Sequence, residues 1–184
     1  MPTADGLAGI DTHPDHVVGT GTSTSCTSQA VVDAVALGGV ITFNCGPGRV
    51  TIVMTATAKV VNTSPIVVLD GGGKVTLSGA GQRRILYMNT CDKAQIWTTS
   101  HCEDQDQPQL NRFTLDLAGS IVHNNTANEG GGAIFFVSND RTGELRITTS
   151  VLERNVSRGF ETRGFPGIFF LGLGAPQVVN STLT

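Results

Sequence analysis

A short charged loop in the last quarter of the chain carries the side chains best suited to hold a polar or anionic ligand. Arg158, Glu161 and Arg163 lie close together in a segment punctuated by Gly159 and Gly164. Guanidinium groups form charge-assisted hydrogen bonds with anionic oxygens, so these three residues are the candidate contacts for a polar or anionic ligand. The favoured reading of the loop by itself is a solvated, glycine-hinged connection that carries surface charge. No acid, base or nucleophile set elsewhere assigns a catalytic residue.

An irregular insert over residues 89–108 carries two further candidates. Trp97, the only tryptophan, is predicted to stack on a sugar ring, and its alternative role is to anchor the insert. The acidic run 103–106 offers the side-chain oxygens that calcium prefers, although its spacing fits no EF-hand loop and an exposed polar loop is the favoured reading. We expect no cofactor, with calcium as the one ion for which ligands are available.

Two histidines near the start of the chain have the spacing of a metal-binding pair. His13 and His16 flank Pro14 and Asp15. On an extended segment broken by proline they lack the fixed face that a helix would provide, so no metal site is predicted there.

The four cysteines fall into two local pairs, Cys26 with Cys45 and Cys91 with Cys102. Each pair is separated by a segment short enough to fold back on itself, so we predict two disulfides and an oxidising compartment outside the cell. The bond between Cys26 and Cys45 would tie a helix to the strand that follows it. Four reduced, buried thiols in a cytosolic protein are the alternative.

Composition restricts the class of protein. The chain has 184 residues, of which 39% are hydrophobic and only 15% charged, with 23 glycines and a net charge of −3. This balance favours strands and turns over helices. The absence of a basic run argues against nucleic acid and anionic membranes as partners, and no apolar stretch is long enough to span a membrane. An exported form would carry a leader that is not seen in residues 1–21.

Periodicity predicts one short helix and many strands. Residues 1–25 are polar and aperiodic, so we expect an N-terminal strap or a mobile arm. Apolar residues recur at helical spacing over 27–37, and a Gly-Gly pair then ends the run. Strands are predicted where β-rich runs lie between Gly, Pro or Asn, at 40–44, 49–55, 60–61, 65–69, 74–77 and 84–88.

An internal repeat near thirty residues is the strongest pattern. Residues 117–125 match 147–155, a third copy begins at 178, and Gly-Ala-Ile-Phe-Phe at 132–136 aligns with Pro-Gly-Ile-Phe-Phe at 166–170. Units of this size cannot bury an apolar face alone, so successive copies must stack on a shared core. The repeat predicts an all-β fold, a parallel β-helix, with the helix as its N-terminal cap.

Matching positions of the repeat should stack. Leu117, Ile147 and Val178 are predicted to form an inner aliphatic ladder. Asn125 and Asn155 are predicted at matching corners, where asparagine tolerates a left-handed backbone and its amide bonds to the next unit. We expect a single domain over 26–184 with repeating units from about residue 40, truncated at its C-terminal end.

From about residue 22 onward the chain resembles known β-helix proteins. Gly-Gly-Ala-Ile at 131–134, followed by Ser-x-x-x-x-Asn, is similar to the repeats of polymorphic outer-membrane adhesins. The order Cys26, helix, 40–48 and 68–79 resembles the opening of secreted bacterial proteins of the pectate-lyase-like superfamily. The resemblance implies a right-handed β-helix, an extracellular or cell-surface location, and either polysaccharide binding or cleavage.

The chain also departs from the lyases of this superfamily. Those enzymes present an aspartate cluster that binds calcium, together with an Arg or Lys that abstracts a proton. Here no such cluster can be placed on one strand face, and Arg163, followed by Gly164 and Pro166, is only faintly similar to the lyase pattern. We therefore favour binding of a polysaccharide or cell-surface polymer. A lyase or hydrolase, and a structural or self-assembling surface protein, are the alternatives.

Two features bear on partners. Phe135 and Phe136 repeat at Phe169 and Phe170, and alternation along a strand turns one ring of each pair outward, either as a binding strip or beneath a covering loop. The third repeat ends at Thr184 without a polar cap, which predicts either further repeats or a homo-oligomer formed end to end.

Overall fold

Strands dominate the part of the chain that the structure describes, where they are accompanied by one α-helix. The computed structural model describes residues 13–60, 66–89, 114–138 and 141–184. The helix α1 spans Ser28–Leu37, after a single 3-10 turn at Ser23–Ser25. The strands of these ranges are β1 His16–Val18, β2 Gly39–Phe43, β3 Val50–Val53, β4 Ala58–Lys59, β5 Ile66–Ser78, β6 Leu86–Asn89, β7 Thr114–His123, β8 Thr126–Ala127, β9 Ile134–Val137, β10 Glu144–Thr148, β11 Val151–Glu153, β12 Val156–Ser157, β13 Ile168–Leu171, β14 Gln177–Val179 and β15 Thr182–Leu183.

Helix α1 begins and ends where the sequence predicts. The Thr27 hydroxyl accepts a hydrogen bond from the Ala30 amide at 3.2 Å, which satisfies one free N–H group of the first turn. Gly38 ends the helix with a φ of 76°, a conformation that glycine adopts without steric cost. Val31 and Val35 are buried on the inner face, which packs against β1, β2 and β4. The helix therefore covers one end of the apolar core.

All strand pairs in the described ranges are parallel. The largest sheet, sheet A, has the main order β1-β2-β5-β7-β10-β14, with β3, β11 and β15 beside it. Leu117 of β7 pairs with Ile147 of β10, thirty positions later, and Ile147 pairs with Val178 of β14. Leu117 and Ile147 have no exposed surface, and Val178 is partly buried against the same core. The predicted aliphatic ladder is confirmed.

Two smaller parallel sheets complete the strands of the described ranges. Sheet B has the order β13-β9-β6-β4, and sheet C pairs β8 with β12. In sheet B the inner positions Ala58, Leu86, Ile134 and Ile168 lie in register and are fully buried. Parallel strands need a long crossover between them, and here the paired residues lie 25 to 48 positions apart in the sequence. The strand-rich, parallel character that the repeat predicts is thus present in the described residues, together with one helix.

Polar side chains stack at the corners between strands. The Asn125 amide nitrogen donates to Asn155 Oδ1 at 2.6 Å, and the Asn155 amide donates to the Val122 carbonyl at 3.1 Å. The predicted stacking is confirmed, but the left-handed residues are the ones just before, Asn124 and Arg154, with φ of 55° and 54°. The asparagine side chains stay inside because the preceding residue makes the bend.

The structure differs from the sequence prediction in the N-terminal half. His16–Val18, inside the predicted strap or arm, forms β1 and pairs in parallel with β2. The two strands predicted around a Gly triplet are one long strand, β5, whose register shifts between Asp70 and Val75. Glycines at 72 and 73 with positive φ allow the bend without ending the strand.

The disulfide between Cys26 and Cys45 is present, with a Cα–Cα distance of 5.6 Å. It ties the segment before α1 to the segment after β2, with each cysteine two residues from its element, and the predicted link between helix and strand is confirmed. Cys91 and Cys102 lie outside the described residues.

Candidate functional site

An open cleft of about 420 Å³ lies beside sheet C. Its walls come from three separate stretches of the chain, at 57, 81–84 and 126–129, and from Arg158. We call it the arginine cleft after the side chains that dominate it, Arg83, Arg84 and Arg158, with Glu129 as the one carboxylate among its described lining residues. The cleft is polar and open, and therefore suited to a ligand that lies along the surface.

Backbone hydrogen bonds hold the segments of the cleft in place. The Thr126 amide donates to the Arg83 carbonyl at 3.3 Å, and the Thr57 hydroxyl donates to the Arg84 carbonyl at 3.0 Å. The Arg158 amide donates to the Ala127 carbonyl at 2.9 Å, directly after the β8–β12 pair. The arginines are thus carried by a fixed backbone, although they are distant in sequence.

The three guanidinium groups are engaged to different degrees. Arg83 donates to the Thr55 carbonyl and to Gln82 Oε1, while its Nε is buried without a hydrogen-bond partner. Arg158 is exposed and donates one long hydrogen bond of 3.4 Å to Asn128 Oδ1. Arg83 is therefore partly a structural residue, whereas Arg158 keeps most of its donors available.

Arg84 lies between the cleft and a column of aromatic rings. Its guanidinium carbon is 5.5 Å from the centre of the Tyr87 ring and 5.0 Å from that of Phe135. Burial lowers the pKa of the Arg84 guanidinium, and the nearby Glu129 carboxylate and Tyr87 oppose that shift. An arginine remains protonated at neutral pH even so, so the site holds a positive charge braced on aromatic faces.

A second open cleft of about 570 Å³ adjoins the first, because both are lined by Gly81 and Thr126. It adds Arg154, whose Nη2 lies 2.7 Å from Glu153 Oε1 on the exposed surface. Exposed ion pairs of this kind contribute little to stability, and water readily replaces the partner. The two clefts together form a groove, which we call the arginine groove, that crosses sheet C.

The predicted contact residues separate in the structure. Arg158 lines the arginine cleft, as a ligand-binding role requires. Glu161 instead accepts a hydrogen bond from the Gly167 amide at 2.8 Å, which holds its own loop closed. Arg163 is exposed on a turn, and within the described ranges no hydrogen bond or ion pair joins it to the other two. Trp97 lies outside these ranges, as does the acidic run 103–106.

The described residues hold no cluster of three or more His, Cys, Asp or Glu side chains able to bind a metal ion. Asp15, which lies between His13 and His16, has a structural role. Its Oδ2 accepts a hydrogen bond from the Val40 amide at 2.8 Å. The Asp15 amide also donates to the Val40 carbonyl. This carboxylate therefore secures the segment before β1 against β2.

The repeated phenylalanines form one inner and one outer ladder. Phe136 and Phe170 stack inside with ring centres 5.2 Å apart. On the outer side the centres of Tyr87 and Phe135 lie 5.2 Å apart, and those of Phe135 and Phe169 5.0 Å apart. Phe135 is only 9% exposed. The outer rings face one another and Arg84 covers part of Tyr87 and Phe135, so the ring surface left to solvent belongs to the partly exposed Tyr87 and Phe169.

Sequence reasoning missed Arg83, Arg84 and Glu129. Gln82, Arg83 and Arg84 are adjacent polar residues just before a predicted strand. That position, which is common for binding loops, is the one local signal that could have indicated them. Their closeness to Arg158 depends on the pairing of β8 with β12, and no local pattern reveals it.

Comparison with protein families, curated proteins and solved structures yields no match. Among the described residues, no helix is long and apolar enough to cross a membrane.

Proposed function

We propose that this chain is a right-handed parallel β-helix of the pectate-lyase-like type that acts outside the cell and binds an acidic polysaccharide in the arginine groove. The single observation that carries the proposal is the convergence of Arg83, Arg84 and Arg158 on one open cleft with one carboxylate among its described lining residues. On a chain with a net charge of −3, such a local excess of positive charge favours an anionic ligand.

The strand register supports the β-helix part of the proposal. Columns such as Leu69, Leu117, Ile147 and Val178 require the chain to pass the same point again and again, one strand further along each time. Neighbouring strands lie about 4.8 Å apart, so the surface beside them repeats at a regular interval. A regular surface of this kind suits a polymer that itself repeats. The disulfide between Cys26 and Cys45 favours an oxidising, extracellular location.

The chemistry of the groove supports an anionic polymer. Arg158 is exposed and has most of its donors available, and among the described residues the Arg154 guanidinium is engaged by one exposed ion pair, with Glu153. A carboxylate or sulfate oxygen on a sugar would replace water at these groups and form charge-assisted hydrogen bonds. Since the groove is open, binding should also weaken as salt increases.

The test is a calorimetric titration of the wild-type chain with polygalacturonate, chondroitin sulfate and neutral dextran, with and without calcium. We expect the two acidic polymers to bind and dextran to bind far more weakly. Arg158→Gln should weaken acidic binding by about tenfold, the loss of one charge-assisted contact, and should reduce its salt dependence. Arg146→Gln removes the same charge from the outer face of sheet A, where Arg146 pairs with Glu144 at 2.6 Å, and serves as the matched control.

Equal affinity for acidic and neutral polymers, or equal losses in Arg158→Gln and Arg146→Gln, would contradict the proposal. The alternatives have their own signatures in the same samples. Unsaturated uronate products, seen by ultraviolet absorbance and lost in Arg163→Ala, would indicate a lyase. Concentration-dependent assembly in sedimentation, without binding to any polymer, would indicate a self-assembling surface protein.

A further inference from the structure

Phe160 is the most exposed aromatic side chain among the described residues, with 50% of its surface open to solvent. It stands two positions after Arg158, a lining residue of the arginine cleft. Its amide lies 3.3 Å from the carbonyl oxygen of Glu129, a lining residue of that cleft. The residue that carries this exposed apolar ring is thus tied through its backbone to the edge of the site.

The backbone around Phe160 is held at several points. The Gly159 amide donates to the Glu129 carbonyl at 2.7 Å, and the Gly131 amide donates to the Phe160 carbonyl at 3.3 Å. The ring lies directly over Gly130, where an added Cβ would come within 2.5 Å of the ring carbon Cε2. These contacts fix an apolar ring in water without burying it, so its exposure is part of the structure.

One edge contact orients the ring. Phe160 meets Phe169 with ring centres 4.7 Å apart and an angle of 75° between the planes. In the outer ladder, the rings of Tyr87, Phe135 and Phe169 pack against one another. Phe160 contacts Phe169 edge to face and has a glycine beneath it, so part of its ring stays exposed to solvent. Aromatic faces attract the weakly positive C–H groups of a ligand.

We propose that Phe160 is a stacking subsite for one pyranose ring of the bound polymer, next to the anionic group that Arg158 holds. The inference rests on the proposed function and adds to it the requirement for a sugar ring with a flat C–H face. Recognition then has two parts. The Arg158 contact weakens with salt, whereas the Phe160 contact is apolar and insensitive to it.

The experiment compares Phe160→Ala and Phe160→Tyr in titrations with a galacturonate hexasaccharide and with poly-L-glutamate, a polyanion that has no sugar rings. Phe160→Ala should bind the hexasaccharide about tenfold more weakly at low and at high salt, in line with the loss of one contact with an aromatic face. Its affinity for poly-L-glutamate should not change. Phe160→Tyr keeps the ring and should retain hexasaccharide binding. Unchanged thermal unfolding of both variants shows that the loop is still folded.

The outcomes separate this inference from the proposed function. Wild-type affinity of Phe160→Ala for the hexasaccharide would overturn the stacking subsite and leave the arginine groove in place. In the wild-type chain, ring resonances of Phe160 that shift with neutral cello-oligosaccharides, without any binding of acidic polymers, would support stacking and overturn the charge-based function. No shift and no binding with any of these ligands would overturn both.

Discussion

The inner face of sheet A and the arginine groove are built from the same repeat but differ in environment. The first is buried and apolar, whereas the second is exposed and charged. In sheet A, Leu117 and Ile147 stack without exposed surface in strands of ten and five residues. Beside the groove, β8 and β12 have two residues each, and Val156 is 52% exposed. The long strands create the core, whereas the short ones leave room for charged side chains and loops.

The difference shows which part of the fold can accommodate functional side chains. A one-residue slip in sheet A would turn its apolar side chains to water, so the register is strongly specified there. In sheet C the strands contribute little burial, and hydrogen bonds of the flanking loops position Arg84 and Arg158. The groove can therefore carry polar chemistry because the core beside it holds the register. Three substitutions test this contrast.

The largest expected effect is in the inner ladder. Leu117→Ala should lower the free energy of unfolding by about 3 kcal/mol, because it removes buried methyl groups and leaves a cavity between packed neighbours. Val156→Ala, on the exposed side of the groove, should change it by no more than about 0.5 kcal/mol. Urea unfolding followed by circular dichroism measures both. Similar losses in the two variants would break the contrast between core and groove.

A corner between the two regions should show an intermediate effect. Asn155→Ala removes the amide that accepts from Asn125 and donates to the Val122 carbonyl, and leaves buried polar groups without partners. We expect a loss of about 2 kcal/mol in the free energy of unfolding. Asn128→Ala, an exposed asparagine in the arginine cleft, should have almost no effect in the same urea experiment. A stable Asn155→Ala would mean that the stacked amides do not hold the corner.

The smallest expected effect is on the outer face of sheet A, at Asp116, whose Oδ1 is buried without a hydrogen-bond partner among the described residues. Burial raises the pKa of the Asp116 carboxyl, Arg146 opposes the rise and Asp70 adds to it. The folded chain therefore binds the Asp116 proton more tightly than the unfolded chain does, and this proton binding stabilises the fold. The stabilisation is complete below the pKa of the unfolded state and is lost as pH rises through the pKa of the folded state.

Asp116→Asn should therefore raise the free energy of unfolding at neutral pH, by about 1 kcal/mol, and flatten its pH dependence above about pH 4. Urea unfolding across the mildly acidic range measures this. Asn128→Ala, which removes no titratable group from the exposed surface, is the control and should keep the pH dependence of the wild type. A profile for Asp116→Asn parallel to that of the wild type would show that this carboxyl does not titrate differently on folding.

Much of the architecture was predictable because it depends on local patterns. The helix at Ser28–Leu37 follows from apolar spacing with a threonine cap and a glycine stop, and the ladder of Leu117, Ile147 and Val178 follows from a thirty-residue repeat. Strand β1 was missed because three residues in a polar segment carry no alternating pattern, and only their pairing with β2 makes them a strand.

The candidate site was only partly predictable. Arg158 was found because it lies in a charged loop, but Glu161 was grouped with it by sequence distance and instead caps the Gly167 amide. Arg83 and Arg84 reach the same cleft from more than seventy positions away. Phe160 was not selected, since a single phenylalanine carries no signal of exposure.

By itself the sequence determined the strand-rich, parallel character of the chain, its helix, its stacked columns and the bond between Cys26 and Cys45. Each of these depends on a repeat or on residues close together in the chain, and both can be recognised from the order of the residues. The tertiary structure alone decided which charges meet. Parallel pairing brings residues together across whole repeats, so the partners of Arg158 are set by the register of the strands and not by its neighbours in the chain.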